Sequence, residues 1–491
     1  MAKRTAIIDI GSNSARMVVF EKSSRYAFHL IKEVKSRIRI GEGAYDKEGY
    51  LQLEPMQRGF NALENFVHII KNLKCNKTLC VATSALRDAP NAHIFIQKIR
   101  QDLGLHVRII DGDKEAYYGA LSAINFLKPF EEATTIDIGG GSTELAKIVH
   151  GNIVKTLSIN LGTVRLKELF FDKKASKESI KKYIYSQIQN IPNEFKSNNL
   201  IVIGGTLRAL SQAIMDKKNY PLKTVHSFEY QLQEHQTFIE ELIHSDVFDL
   251  KDFSIRKDRY DTMREGCAIF YETAKFLEAS HIITNGTGVR EGVFLEDLLR
   301  SSNSRFPANF YPSVRSLSDR FDLEKENSRY ISKIALELFD TLHYIHQIDH
   351  KYKKELSIAC KLHSIGRSLS FYQEHLHSFY FILNNLNYNF SHKEKVLIAI
   401  LVKYHTKKLP SFEDMLSYDE LLPDIQIVNW LSFIISLAKC LNISLAKAKL
   451  QMKYENHTLK IRSKESLYIS KECIKKLIKP ASFAIVIEKE D

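Results

Sequence analysis

One short pattern occurs twice in this chain, and it restricts the fold more than any other feature. Residues 5–20 read TAIIDIGSNSARMVVF, and residues 134–149 read TTIDIGGGSTELAKIV. Aligned on Asp9-Ile10-Gly11 and Asp137-Ile138-Gly139, the copies also match at Ser14 and Ser142. Each predicts an apolar strand ending in an Asp, a turn of small residues, and a second apolar strand. Gly and Ser keep side chains out of such a turn, so its backbone N–H groups can converge on an anion. A carboxylate beside the turn suits a hydrated Mg²⁺. Two copies facing each other would make a cleft for a phosphate chain.

Composition sets the frame for that repeat. A length of 491 residues implies several domains. A hydrophobic share of 44% with 26% charged residues is that of an ordinary soluble globular protein. No apolar run reaches the length of a membrane span, and the apolar run near the N-terminus stops at Asp9, so neither a span nor a secretory leader is expected. Cys75, Cys80, Cys267, Cys360, Cys440 and Cys473 are too scattered for a disulfide framework or a zinc ribbon, which predicts reduced thiols and a cytoplasmic protein. The net charge is +12. Residues 301–491 hold 28 Lys and Arg against 21 Asp and Glu, so the excess is denser toward the C-terminal end. It implies either a polyanionic partner or simply a basic, soluble surface.

The first 300 residues alternate strand and helix signals. Strands are predicted at 5–8, 15–20, 78–82, 107–110, 134–136, 145–149 and 200–203. Helical patterns lie between them, as at 56–73, 92–103 and 114–125. The spacing of the two copies predicts two similar α/β domains, 1–126 and 127–300. The Pro-containing stretch 301–316 reads as a linker. Beyond it, 301–491 reads as a mainly helical domain, with helices at 325–346, 354–365, 393–404 and 426–441. Short strand signals at 457–461 and 483–487 form a small appended module.

Several segments carry chemistry. Ile110-Asp111-Gly112-Asp113-Lys114-Glu115 turns from a strand into a helix, with Asp113 as the expected N-cap. Glu115 in the first turn either complements the helix dipole or sits at a cleft floor as a base for water. Arg87, in Thr83-Ser84-Ala85-Leu86-Arg87-Asp88, either binds phosphate oxygens or pairs with Asp88. Lys35, Arg37 and Arg39 alternate, so one strand face would present all three, as a polyanion path or as a solvated edge. Gly204-Gly205-Thr206 ends a strand and opens a helix at 207–215, where a nucleotide or a phosphate group could lie. Residues 284–292, TNGTGVREG, are a further polar glycine-rich stretch expected at the same site.

The ordered set DIGSNS, TSALRDA, DGDKEA, DIGGGSTEL, IGGT and GVREG resembles the exopolyphosphatase / guanosine-pentaphosphate phosphatase (Ppx/GppA) family. The resemblance is close over 1–300 and looser beyond. It implies two actin/hexokinase-like (ribonuclease H-like) α/β domains flanking a cleft. It implies Mg²⁺-assisted release of terminal phosphate from polyphosphate and/or guanosine pentaphosphate, and a homodimer. By the same resemblance the general base falls on Glu115, and a catalytic Arg that stabilises charge on the phosphate oxygens falls on Arg87. The metal-associated acids fall on Asp137 and Glu144, and the phosphate loops on Gly11, Ser12, Asn13 and Ser14 and on Gly139, Gly140, Gly141, Ser142 and Thr143. Gly204, Gly205 and Thr206 join the phosphate site.

The helical region resembles the HD-type phosphohydrolase domain at Leu362-His363-Ser364-Ile365-Gly366, His375, His377 and Lys403-Tyr404-His405. Ser364 stands where that site needs a ligating Asp, and Lys439 where a second Asp is expected. A protonated Lys cannot ligate, so an HD-like scaffold without a metal is expected. An ATPase or kinase of the actin-like superfamily, or a sensor binding guanosine tetra- and pentaphosphate with little hydrolysis, remain as other readings of the same loops.

Overall fold

The computed structural model describes residues 3–44, 48–322 and 324–489. The chain divides after Phe310 into two compact units. In the first unit, β1 (Arg4–Ile10), β2 (Ala15–Lys22) and β3 (Phe28–Ser36) form an antiparallel meander. Then β4 (Lys77–Ala82) and β5 (Val107–Ile109) add in parallel, giving the order β3-β2-β1-β4-β5. The second sheet repeats the plan. Its meander is β6 (Glu132–Ile138), β7 (Thr143–Val149) and β8 (Asn152–Ile159). Parallel to β6 lies β9 (Asn199–Ile203), followed by β11 (His281–Thr284), with β10 (Glu229–Gln231) added antiparallel at the edge. The order β10-β11-β9-β6-β7-β8 contains the first sheet's topology plus one strand. This is the duplicated α/β arrangement that the sequence repeat implies.

The central strands are buried on both faces because helices cover them. Residues Ala6, Ile7 and Ile8 of β1 are fully buried, as are Leu200, Ile201 and Val202 of β9. The helix Leu53–Asn72 presents Gly59, Ala62, Leu63 and Phe66 to the first core at helical spacing. The helix Gly112–Phe126 is buried along most of its length and packs Ala116, Ala120 and Ala123 onto the second sheet. Its N-cap is Asp111 rather than Asp113: the Asp111 carboxylate accepts from Lys114 N–H at 2.7 Å. The helix therefore starts earlier than its apolar pattern indicates. Lys35, Arg37 and Arg39 do not share a strand face. β3 stops at Ser36, and the chain turns away so that Arg39 N–H bonds Asn13 O and Gly41 N–H bonds Ser12 O.

The second unit, from Tyr311, is helical with a three-stranded sheet. The expected linker 301–316 is shorter than its composition suggests, because Pro312 opens the helix Pro312–Phe321. Helices Lys325–Thr341, Lys353–Leu362, Glu374–Asn385, His392–Lys403 and Ile425–Leu441 make the bundle. Ile425–Leu441 is its apolar centre, with Leu431, Ile434, Ile435 and Leu437 fully buried. The module β12 (Gln451–Glu455), β13 (Thr458–Ser463) and β14 (Ala484–Lys489) follows. Two cysteines depart from the expected reduced state: Cys440 and Cys473 form a disulfide, their Cα atoms 5.5 Å apart. Packing of Ile425–Leu441 against the helix Tyr468–Ile474 brings together residues that linear spacing keeps apart. Among the described residues, no single helix is long and apolar enough to cross a membrane.

Candidate active site

The two repeated turns are built alike. Gly11 N–H bonds Ser14 O at 3.2 Å, and Gly139 N–H bonds Ser142 O at 2.9 Å. They also touch: a Cβ on Gly140 would lie 2.8 Å from Ser12 Cβ. Ser12 Oγ in turn lies 3.0 Å from Ser84 Oγ, which ties the first turn to the segment carrying Arg87. The turns meet over a cavity of about 150 Å³. Residues 11–14, Gly139 and Gly140, and 204–206 all line it, together with Glu115, Asp9 and Asp137. Gly141, Ser142, Thr143, Glu144 and Arg87 stand back from the cavity. Thr143 Oγ1 donates to Leu161 O, and Glu144 accepts from Ser158 Oγ at 3.0 Å.

Glu115 owes its position to the start of its helix. Asp111 caps the helix, and Gly112 lets it approach β8, where an added Cβ would come within 2.3 Å of Ser158 Cβ. Ser158 is the residue that holds Glu144, so Glu115 and Glu144 share one buried neighbourhood. Burial pushes the Glu115 carboxyl well above the usual carboxylate range, and the charges of Glu144 and Asp9 push the same way. The Arg87 guanidinium opposes them, with Nη1 3.2 Å from Glu115 Oε2. Burial also lifts Asp137 to about 6, with Arg208 pulling down and Asp9 pushing up.

The cavity holds cations that the sequence reading did not single out. Arg16, Arg208, Arg259 and Arg290 line it with Lys35. Burial brings Arg16 down to about 10, helped by repulsion from Arg290, Arg208 and Arg259. Lys35 falls to about 8 through burial and the charges of Arg259 and Arg16. Such mutual repulsion is relieved by a multiply charged anion. Arg16 had a signal: it occupies, in the first copy, the place of Glu144 in the second. The ladders pair Asp9 with Arg16 and Asp137 with Glu144. Arg208 follows the third glycine loop by two residues and could have been suspected. Arg259, from the turn Lys257–Arg259, had no sequence signal. Arg290 lies in the polar stretch 284–292, where Glu291 caps its own helix and Glu33 holds the Arg290 guanidinium at 3.0 Å.

The model of the Ppx/GppA phosphatase family matches residues 18–301, and that of Ppx/GppA phosphatase domain III matches residues 311–474. The chain belongs to the Ppx/GppA phosphatase family. The crystal structure of the Aquifex aeolicus member is 25% identical, with a TM-score of 0.53, over 62% of this chain and 99% of that one. An exopolyphosphatase from Cytophaga hutchinsonii shares the fold at 20% identity and a TM-score of 0.56, over 62% of this chain and all of its own. Members of this family are phosphatases.

The donors present suit a hard divalent cation only in part. Among the described residues, no group of three or more His, Cys, Asp and Glu side chains could hold a metal by itself. Asp9 and Asp137 lie near the ends of β1 and β6 at the cavity; burial raises both carboxyls, and the charge of Asp9 adds to the rise at Asp137. That fits Mg²⁺, which takes one or two carboxylates and completes its shell with water and phosphate oxygens.

Proposed function

We propose that this chain hydrolyses the terminal phosphoanhydride of inorganic polyphosphate or guanosine pentaphosphate. One observation carries the reading. Five cations and three carboxyl groups converge on one small cavity where both repeated turns meet. Phosphoryl transfer needs charge stabilisation on the equatorial oxygens and one group to take a proton, and little else from the protein.

Glu115 accepts the proton of the attacking water. Burial raises its affinity for a proton well above that of an ordinary carboxylate, which suits a group that takes one. Arg87 orients and moderates Glu115 through their ion pair. Backbone N–H groups of the turns at 11–14 and 139–140 hold the terminal phosphate, and Arg16, Arg208 and Arg290 neutralise its oxygens. Asp137 would hold Mg²⁺ with Asp9 beside it, and Glu144, bonded to Ser158, would act through water. Bound Mg²⁺ supplies further charge neutralisation on the phosphate oxygens.

The third glycine loop favours phosphate over a nucleoside as its neighbour. The Arg259 guanidinium lies against Gly205, so close that a Cβ there would meet Nη1 at 2.4 Å. This speaks against an ATP-handling kinase that would lodge its nucleoside at that loop. The deciding assay measures phosphate release from long polyphosphate, guanosine pentaphosphate and ATP side by side, with and without Mg²⁺. Release from ATP exceeding both of the others would overturn the reading. So would tight binding of guanosine pentaphosphate without product.

A further inference from the structure

The helical unit contains a second cavity, of about 740 Å³, that the phosphatase chemistry does not use. It has the volume of a small-molecule site. Its walls are largely apolar, with Ile331, Ile443, Leu445 and the Cys440–Cys473 disulfide among them. Three histidines line one side: His405 has its ring centroid 5.2 Å from that of His363 and 6.3 Å from that of His375.

Two of these imidazoles have an assigned tautomer. His363 Nδ1 bonds Cys360 O at 2.8 Å, and His405 Nδ1 bonds Val402 O. A carbonyl oxygen only accepts, so Nδ1 carries the hydrogen in both rings. Burial keeps both rings neutral, lowering His363 to about 4 and His405 well below its usual value. Each Nε2 is therefore a lone-pair acceptor. His405 is 2% exposed, and its Nε2 has no hydrogen-bond partner among the described residues. A buried acceptor without a donor costs about 1–3 kcal/mol, which a ligand with an N–H or O–H would relieve.

The cavity lining is also basic. Lys439 and Arg367 are held by Glu374, at 2.9 and 2.7 Å. Lys407 and Lys408 are exposed at the mouth. Phe371, also at the cavity and 68% exposed, has the Arg367 guanidinium 5.5 Å from its ring. A metal does not fit, because Lys439 raises the local potential and no sufficient ligand group exists among the described residues. A fatty acid offers no donor to His405, and inorganic phosphate has no apolar part.

We propose that this cavity binds a nucleoside phosphate, with its base and sugar among the apolar walls. A base amino group or ribose hydroxyl donates to His405 Nε2, and the phosphates rest on Lys407 and Lys408. The base stacks on Phe371. The site is separate from the hydrolytic one and does not depend on the activity assigned there.

Equilibrium binding of AMP, GMP and GDP to the full chain tests this, since the two monophosphates contain no phosphoanhydride. The variants are His405→Leu, the double variant Lys407→Glu/Lys408→Glu, and Arg208→Ala in the hydrolytic cavity. Thermal melting confirms that each is folded. The lysine variant alters only exposed side chains and keeps the test decisive should His405→Leu unfold. The expected result is binding of at least one of the nucleotides, weakened about tenfold or more in the lysine variant and unchanged in Arg208→Ala; tenfold corresponds to about 1.4 kcal/mol. No binding of any of the three up to about 1 mM would overturn the proposal. So would loss of binding in Arg208→Ala alone, or displacement by inorganic phosphate at the same concentration as the nucleotide.

Discussion

Arg87 Nη1 lies 3.2 Å from Glu115 Oε2, and the same guanidinium places Nε 3.4 Å from Asp88. Arg87 is thus engaged with the carboxylate that the proposed mechanism uses and does not line the cavity itself. Removing it takes away a positive charge that lowers the proton affinity of Glu115. Arg87→Ala is expected to move the acid limb of the pH–rate profile to higher pH, with KM changed less than threefold. A KM increase with an unmoved pH profile would show that Arg87 binds phosphate directly.

Glu115→Gln keeps the shape of the site and removes the base. Phosphate release should fall by about 10²–10⁴, the contribution typical of a general base, while substrate binding persists. Single-turnover kinetics with guanosine pentaphosphate separate the two effects. Turnover within a few-fold of the native value would remove Glu115 from the mechanism.

Beyond burial, Arg290, Arg208 and Arg259 lower the proton affinity of Arg16, and Arg290 and Arg259 that of Arg208, so both should matter more with substrate than without it. Arg208→Ala and Arg16→Ala are expected to raise KM for polyphosphate by about tenfold each, equivalent to about 1.4 kcal/mol. The salt dependence of KM should weaken in both, since fewer charges remain to be screened. The free protein should gain stability from either change, because a repulsive partner is lost.

The buried acids set a pH dependence of stability. Asp137 titrates at about 6 in the folded chain against 3.8 ordinarily, so the folded state binds the extra proton between those values. Stability therefore falls as pH rises through that window and levels off above about 6. Glu144, also raised by burial, extends the fall to higher pH. Asp137→Asn and Glu144→Gln should each flatten the slope and raise Tm at pH 8, by about 2–4 °C for each kcal/mol recovered. Thermal melts from pH 4 to 9 without divalent cations measure this. Equal slopes in native and variant proteins would contradict it.

Lys35, Arg37 and Arg39 of the first lobe pair with Asp258 and Asp261 of the second: Lys35 Nζ is 3.6 Å from Asp258, and Arg37 Nη1 is 3.3 Å from Asp261. These partly exposed pairs contribute about 0–1 kcal/mol each. Asp258→Ser/Asp261→Ser should leave Tm nearly unchanged and lower KM for long polyphosphate, because the freed cations meet the chain. KM for guanosine pentaphosphate, whose phosphates are few, should change less.

The duplicated topology was legible in the primary structure because an apolar strand, an Asp and a small-residue turn are local devices. β1 with β2 and β6 with β7 need only neighbouring residues to specify them. Helix starts were harder to read: Asp111 displaced Asp113 as cap because Gly112 enters the helix to pass Ser158. The alternating Lys35, Arg37 and Arg39 suggested a strand face, but hydrogen bonds to the turn at Ser12 and Asn13 draw that segment out of the sheet. Cys440 and Cys473 gave no sign of pairing at a separation of 33 residues.

What the order of residues determined alone was the repeated small-residue turn, Glu115 in the first turn of its helix, and a helical second half. Only the tertiary structure decided what surrounds the turns. Arg16, Arg208, Arg259 and Arg290 come from four separate places in the chain, and Arg87 turns to Glu115 instead of to the cavity. The reason is physical. A turn is written by the conformational limits of adjacent residues, whereas an electrostatic site sums charges over distances that the chain closes only by burying its sheets.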